Sequence, residues 1–183
     1  MALSPGKQFE KSFEDSAKKD KIFFYRIKDN TGAFNPKCME CPNSKTKFTV
    51  KNECDSFLYQ KPILLPLECK STKSKSISLS DKIIKPQQIK RLTEWLEYNG
   101  ILPGFIFNFR ESNNQTYFLH IKDFNDYVAN PNRKNKSSIP ILYCKEVGLQ
   151  IKNNILKTNY RYDIKDLLEQ INSKYFPEIR QVN

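Results

Sequence analysis

The residues with the clearest capacity for chemistry lie in one stretch, D-S-F-L-Y-Q-K-P-I-L-L-P-L-E-C-K, from Asp55 to Lys70. Asp55 and Glu68 are separated by twelve residues, and Lys70 follows two positions later. Side chains alternate along an extended strand, so Glu68 and Lys70 share one face while Leu65, Leu67 and Cys69 point into a core. A turn around Gln60, Lys61 and Pro62 would fold a short strand, Asp55 to Tyr59, back along its neighbour and set Asp55 beside Glu68. Two carboxylates at one point repel unless a cation lies between them, and an all-oxygen donor set favours Mg2+ or Mn2+. Such an ion acidifies water and polarises a phosphoryl oxygen, while a nearby ammonium orients the water or neutralises developing charge. The pattern predicts phosphodiester hydrolysis. Asp163 and Lys165 form a second acid-x-Lys triplet, but on a predicted helix, where residues two apart do not share a face.

The elements that must position these groups are legible on either side. Ser4 and Pro5 read as an N-cap and a first-turn proline, opening a helix to about Lys19 with Phe9, Phe13 and Ala17 on one face. Glu10 lies one residue off that stripe and could overhang the carboxylates; a solvated helix glutamate is the alternative. Ile22 to Ile27 is expected to be a strand, well covered. Pro66 cannot donate to a central ladder, so its strand is bulged or unpaired on one side there. Ser71 to Lys82 interleaves six hydroxyls with Lys73, Lys75 and Lys82, which suits a flexible rim for phosphate oxygens.

Gln87 to Asn99 reads as a helix with Ile89, Leu92, Trp95 and Leu96 inward and Gly100 as its stop. Pro86 in the first turn puts Gln88 near the positive end of that helix, within reach of a phosphate. Phe105–Phe109 and Tyr117–Ile121 pair across a turn at Asn113 and Asn114. His120, the single histidine, alternates with core positions and reads as structural. Asp123 starts a short helix. Asp163 caps a last one, with Ile164, Leu167, Leu168 and Ile171 along one side.

At 183 residues the chain can bury roughly two thirds of its unfolded surface as a single domain, 1–183. Thirteen Phe and nine Tyr supply large pieces of core. Lys and Arg outnumber Asp and Glu by 31 to 20, a net charge of +11 that favours a polyanionic partner, although abundant Lys and Asn would also suit an A+T-rich coding genome. The start M-A-L-S-P-G-K has no apolar signal core, and no window approaches the ~20 apolar residues that cross a bilayer, so a cytoplasmic protein without membrane contact is expected. Five cysteines read most simply as free thiols. Cys38 and Cys41 have zinc-knuckle spacing and Cys54 could approach them, but a closed structural site needs four ligands and no second pair follows. Residues 28–51 form an insertion before the hairpin that is too long for an ordinary connection.

Asp55, Glu68 and Lys70 resemble the motif of the PD-(D/E)XK nuclease superfamily, and the surrounding residues resemble its RecU-type Holliday-junction resolvases. The matching series is G-K-Q-F-E at Gly6–Glu10, the Asp55, Glu68 and Lys70 triad, K-S-T-K-S-K-S-I-S-L at Lys70–Leu79, Gln88 with Ile89 and Leu92, the Phe105–Phe109 and Tyr117–Ile121 strands, and K-S-S-I-P at Lys136–Pro140. The triad is a weak pattern; its ordered neighbours are far more specific.

The resemblance implies an α/β restriction-endonuclease-like core, a mixed β-sheet flanked by helices, with 28–51 as a projecting, stalk-like insertion entering a four-way junction. It further implies that Asp55, Glu68 and the main-chain carbonyl of Cys69 hold Mg2+ or Mn2+, that Lys70 assists the water, and that Gln88 and Glu10 border the catalytic site. Branched DNA is the implied partner, with no small-molecule cofactor; from the residues themselves, the basic side chains expected to grip it are Lys7, Lys45, Lys47, Lys73, Lys75, Arg133, Lys134 and Lys136. A homodimer would cut two strands of like polarity symmetrically, leaving 5'-phosphate and 3'-hydroxyl ends. The compact length fits a phage-encoded member acting in the host cytoplasm. The alternatives are another nuclease on the same core, of flap, mismatch or restriction type, and an architectural DNA-binding protein that does not cut.

Overall fold

The computed structural model describes residues 3–27, 52–134 and 137–177. In chain order the elements are α1 (Pro5–Lys19), β1 (Phe23–Arg26), β2 (Ser56–Gln60), β3 (Ile63–Thr72), β4 (Ser76–Ser78), α2 (Pro86–Glu94), β5 (Gly104–Phe109) and β6 (Gln115–His120). They continue with α3 (Ile121–Ala129), β7 (Ser138–Pro140), α4 (Ile141–Val147), β8 (Leu149–Ile151), β9 (Asn153–Ile155), β10 (Tyr160–Tyr162) and α5 (Ile164–Tyr175).

Six strands form one mixed sheet in the order β1-β2-β3-β5-β6-β8. β3 and β5 run parallel, with Glu68 opposite Phe105 and Lys70 opposite Phe107; the other neighbours are antiparallel. Strand alternation divides the interior into two cores. On one face Leu65, Leu67, Ile106 and Phe118 pack against Phe9 and Phe13 of α1 and Ile164, Leu168 and Ile171 of α5. On the other, Phe105, Phe107 and Phe109 meet Leu92 of α2, Phe124 of α3 and Cys144 of α4. β5 is therefore buried along its whole length. Gly104 at its start is set by close approach: a Cβ there would lie 2.5 Å from the Phe118 ring and 2.6 Å from the Leu119 carbonyl.

Several expectations hold. Pro5 opens α1, Asp163 caps α5 by accepting from the Asp166 amide at 3.0 Å, and Asn113 and Asn114 turn β5 into β6 with φ of 53° each. Cys54, Cys69 and Cys144 are buried free thiols. Pro66 pairs with Phe57 on the β2 side, while the regular ladder to β5 begins only at Leu67. Its missing donor thus falls in a gap on the β5 side, and the strand is not bulged against β2.

Other expectations need correction. β1 is an edge strand with Phe23 and Tyr25 more than half exposed, because nothing covers its outer face among the described residues. The helix predicted to Asn99 ends at Glu94 and passes through a single 3-10 turn, Trp95–Glu97, before Gly100 at φ 81°, which leaves Leu96 exposed. The serine-rich segment is partly strand: β3 continues to Thr72 and β4 pairs with β7 over a buried Ile77, while 73–75 and 79–82 lie outside strands. Asp55 stands just before β2, on the bend that leads into it.

His120 is buried at the junction of β6 and α3, against Tyr175, with Nε2 unpartnered among the described residues. Burial lowers its pKa below 6.5; Lys174 and Lys122 act in the same direction, while Asp123 opposes them. Because the folded pKa is depressed, the unfolded chain takes up the proton first, so this contribution to stability is complete above about 6.5 and is lost as pH falls below it. His120→Gln should therefore lose less stability than the parent between pH 7 and pH 5 in denaturant titrations. Identical losses would assign the acid sensitivity to other groups.

Candidate active site

The β2–β3 hairpin brings the carboxylates together. Ser56 pairs with Leu67, so Asp55 lies across from Glu68, and the Asp55 amide donates to the Leu67 carbonyl at 3.1 Å. β3 then outruns β2: beyond Leu67 its β2-side edge has no strand partner among the described residues. At that open edge the Cys69 amide donates to Asp55 Oδ2 at 2.8 Å. In an antiparallel ladder a residue presents its N–H and C=O to the same side, so the Cys69 carbonyl faces this edge too.

Glu68 is fully buried. Its Oε1 accepts from both the Lys70 ammonium and the Gln88 side-chain amide, while Oε2 has no donor among the described residues. Burial first, and the Asp55 charge second, raise the Glu68 pKa to about 8, with Lys70 pulling it down. For Lys70 burial opposes the charge, but Glu68 and Asp55 more than compensate and hold its pKa above 10.5. The site thus has one firmly charged lysine for two crowded carboxyl groups and a buried oxygen facing no proton donor. That shortage of positive charge, with a backbone carbonyl beside it, fits a hard divalent cation. No grouping of three or more His, Cys, Asp or Glu suited to a metal occurs among the described residues, so water would fill the remaining positions, as Mg2+ favours.

Gln88 is oriented from both ends. Its amide oxygen accepts from the Lys85 N–H at 3.1 Å, which turns Nε2 toward Glu68. Glu10 comes from the α1 side and pairs with Arg26 at the end of β1; its charge reaches Cys69. Arg26 escaped the sequence reading, since only the β1–β2 register, Arg26 opposite Ser56, reveals its position near the site. Cys54, also nearby, has its thiol pushed up to about 12 by burial and then by the charges of Glu68 and Asp55.

A cleft of about 600 Å3 continues from Cys69 and Lys70 along the open edge, between Gly6 of α1 and the β4–β7 pair, with Ser71, Ser76 and Ser137 offering hydroxyls and Lys82 a charge. Lys7, Lys73, Lys75 and Lys134 are exposed. Arg133 is partly turned inward, its guanidinium 5.9 Å from the centre of the Tyr127 ring. Lys45, Lys47, Lys136 and the Cys38–Cys41 pair, with the whole insertion 28–51, lie outside the described residues.

Among solved structures, the Holliday junction resolvase Hjc of Archaeoglobus fulgidus has a similar fold, with a TM-score of 0.50 over 79% of this chain and 95% of that one, at 14% identity. The family model described as RecU, Recombination protein U, matches residues 7–169, and the chain belongs to that family. A curated relative, the SPbeta prophage-derived uncharacterized protein YotM of Bacillus subtilis (strain 168), is 45% identical over 182 residues, covering 94% of this chain and 89% of its own.

Glu68→Gln preserves shape and removes a carboxyl group whose ionisation burial and Asp55 oppose. In chelator the variant should melt above the parent, by roughly 2–4 °C for each kcal/mol of that cost removed. A lower melting temperature would mean that the Glu68–Lys70 pair is favourable enough to outweigh Asp55.

Proposed function

We propose that this protein is a metal-dependent, structure-selective endodeoxyribonuclease that resolves Holliday junctions by paired, symmetric phosphodiester hydrolysis in recombination and repair. The observation that carries this reading is buried Glu68, with one oxygen claimed by Lys70 and Gln88 and the other unpartnered beside Asp55, at a strand edge that opens into a hydroxyl-lined cleft. RecU membership and the Hjc-like fold support a junction substrate, and the prophage-derived relative supports a phage-type enzyme.

In this reading Asp55, Glu68 and the Cys69 carbonyl would hold Mg2+ or Mn2+. When bound, the ion supplies Lewis-acid stabilisation of phosphoryl charge and acidifies water. Lys70 stays charged and points its ammonium at the same oxygen cluster, where it orients the attacking water and offsets charge developing on the phosphate. Gln88 keeps Glu68 aimed, and Arg26 keeps Glu10 beside the strand without adding a free negative charge. Water bonds to phosphorus as the bond to the 3'-oxygen breaks, leaving a 3'-hydroxyl and a 5'-phosphate. Lys7, Lys73, Lys75 and Lys134, with Lys45, Lys47, Lys136 and Arg133, provide the grip on the backbone. Two symmetric cuts require two such sites, hence a homodimer, and insertion 28–51 would enter the junction centre.

The test compares a labelled mobile four-way junction with a linear duplex of the same sequence in Mg2+, Mn2+ and chelator. Paired symmetric nicks on the junction alone are expected, with none in chelator. Cutting of both substrates would instead indicate a general nuclease on this fold. Asp55→Asn and Glu68→Gln should each slow cutting at least about a hundredfold while junction binding persists. Parental rates in either variant would place the chemistry elsewhere.

A further inference from the structure

A second pocket, about 300 Å3, lies on the α1 side of the sheet, between the end of β5, the first turns of α1 and the β9–β10 hairpin. None of the roles assigned above uses it. Its floor is an amide and hydroxyl network that satisfies itself. Asn108 donates to Asn114 Oδ1 at 2.8 Å and Thr116 Oγ1 at 2.9 Å, and Asn114 donates to the Tyr162 hydroxyl at 3.0 Å. Ser71, next to Lys70, closes the network by donating to Asn108 Oδ1 at 2.8 Å.

Arg110 in the wall is different. Its backbone is fixed, the amide to the Thr72 carbonyl at 2.9 Å and the carbonyl to the Asn114 amide at 3.2 Å. Its side chain, however, has a buried Nε with no acceptor among the described residues. No carboxylate lines the pocket among those residues, so nothing there neutralises the guanidinium. Guanidinium is a donor-only fork matched to oxyanions, and above an amide floor that is already paired an anion is the fitting occupant. The β3–β5 register puts Arg110 three residues beyond the partner of Lys70, with backbones roughly 11 Å apart but side chains on opposite faces of the sheet, so a polynucleotide reaching both would pass around the far end of β3.

We propose that this pocket is a phosphate subsite in which Arg110 holds a DNA backbone phosphate away from the one being cut. The inference rests on the nucleic-acid reading above. A terminal 5'-monophosphate presents the same oxygens, and the two sources are distinguishable.

The experiment measures binding of a four-way junction against salt concentration for the parent, Arg110→Gln and Arg110→Lys, with cutting rates at saturating DNA. The Gln variant should bind about tenfold more weakly at low salt, and its slope of log affinity against log salt should be shallower by about 1, while the saturated cutting rate stays near parental. The Lys variant should fall between. In the parent, the Arg110 Nε–H resonance should shift when short single strands are added. Equal shifts with and without a 5'-phosphate assign the internal diester; a shift only with the 5'-phosphate assigns a strand end. This parental measurement also decides the matter if the Gln variant fails to fold. Parental affinity and slope in Arg110→Gln, with an unmoved resonance, would overturn the subsite alone. A parent that binds no branched DNA would instead overturn the reading on which it rests.

Discussion

Everything in the site depends on placing a carboxylate where water cannot reach it. Glu68 sits inside the fold, and a buried carboxylate holds its proton unless positive charge or donors come to it. Lys70 comes from the same strand face two residues on, and Gln88 from the first turn of α2. Asp55 works in the opposite direction, and that opposition keeps the site short of positive charge. Local repulsion of this kind is what an entering cation would relieve.

The sheet's two cores share the task of supporting it. Phe105 and Phe107, opposite Glu68 and Lys70, pack toward α2 and α3 and thereby fix the side from which Gln88 approaches. α1 and α5 clamp the other face through Phe9, Phe13 and Ile164, and this clamp delivers Gly6 to the cleft and Glu10 to Arg26. Ser71 and Asn108 link the strand that carries the lysine to the polar layer beneath α1. Neither core alone would define both sides of the open edge beyond Leu67.

The hairpin was legible because its signals are local: an alternating pattern, a proline-marked turn, and two acids at a spacing that turn can close. The helices α1 and α5 were legible for the same reason, each with a strong apolar stripe and a readable start. The three-residue strands β4, β7, β8, β9 and β10 were not, because so short a segment carries no period, and β4, β7 and β8 exist only through partners far along the chain. Exposed Phe23 and Tyr25 misled for a related reason. Aromatic, β-rich composition marks a strand but not whether it is central or at an edge. Arg26 and Arg110 look like any other surface arginines in the sequence; what distinguishes them is register, which no local pattern encodes.

The parallel pairing of β3 with β5 also bears on the order in which the molecule can be assembled. β2 and β3 meet across a short turn, as do β5 and β6, whereas the β3–β5 ladder joins positions such as Ser71 and Asn108, 37 residues apart. Closing a short loop costs less chain entropy than closing a long one, and non-local strand pairing is the slow kind. On chain entropy alone, Asp55 and Glu68 are brought together by the inexpensive closure, while the burial of Glu68 and the approach of Gln88 depend on the costlier one. The meeting of the two acids is thus the local part of the site, and the burial that gives Glu68 its unusual electrostatics is the non-local part.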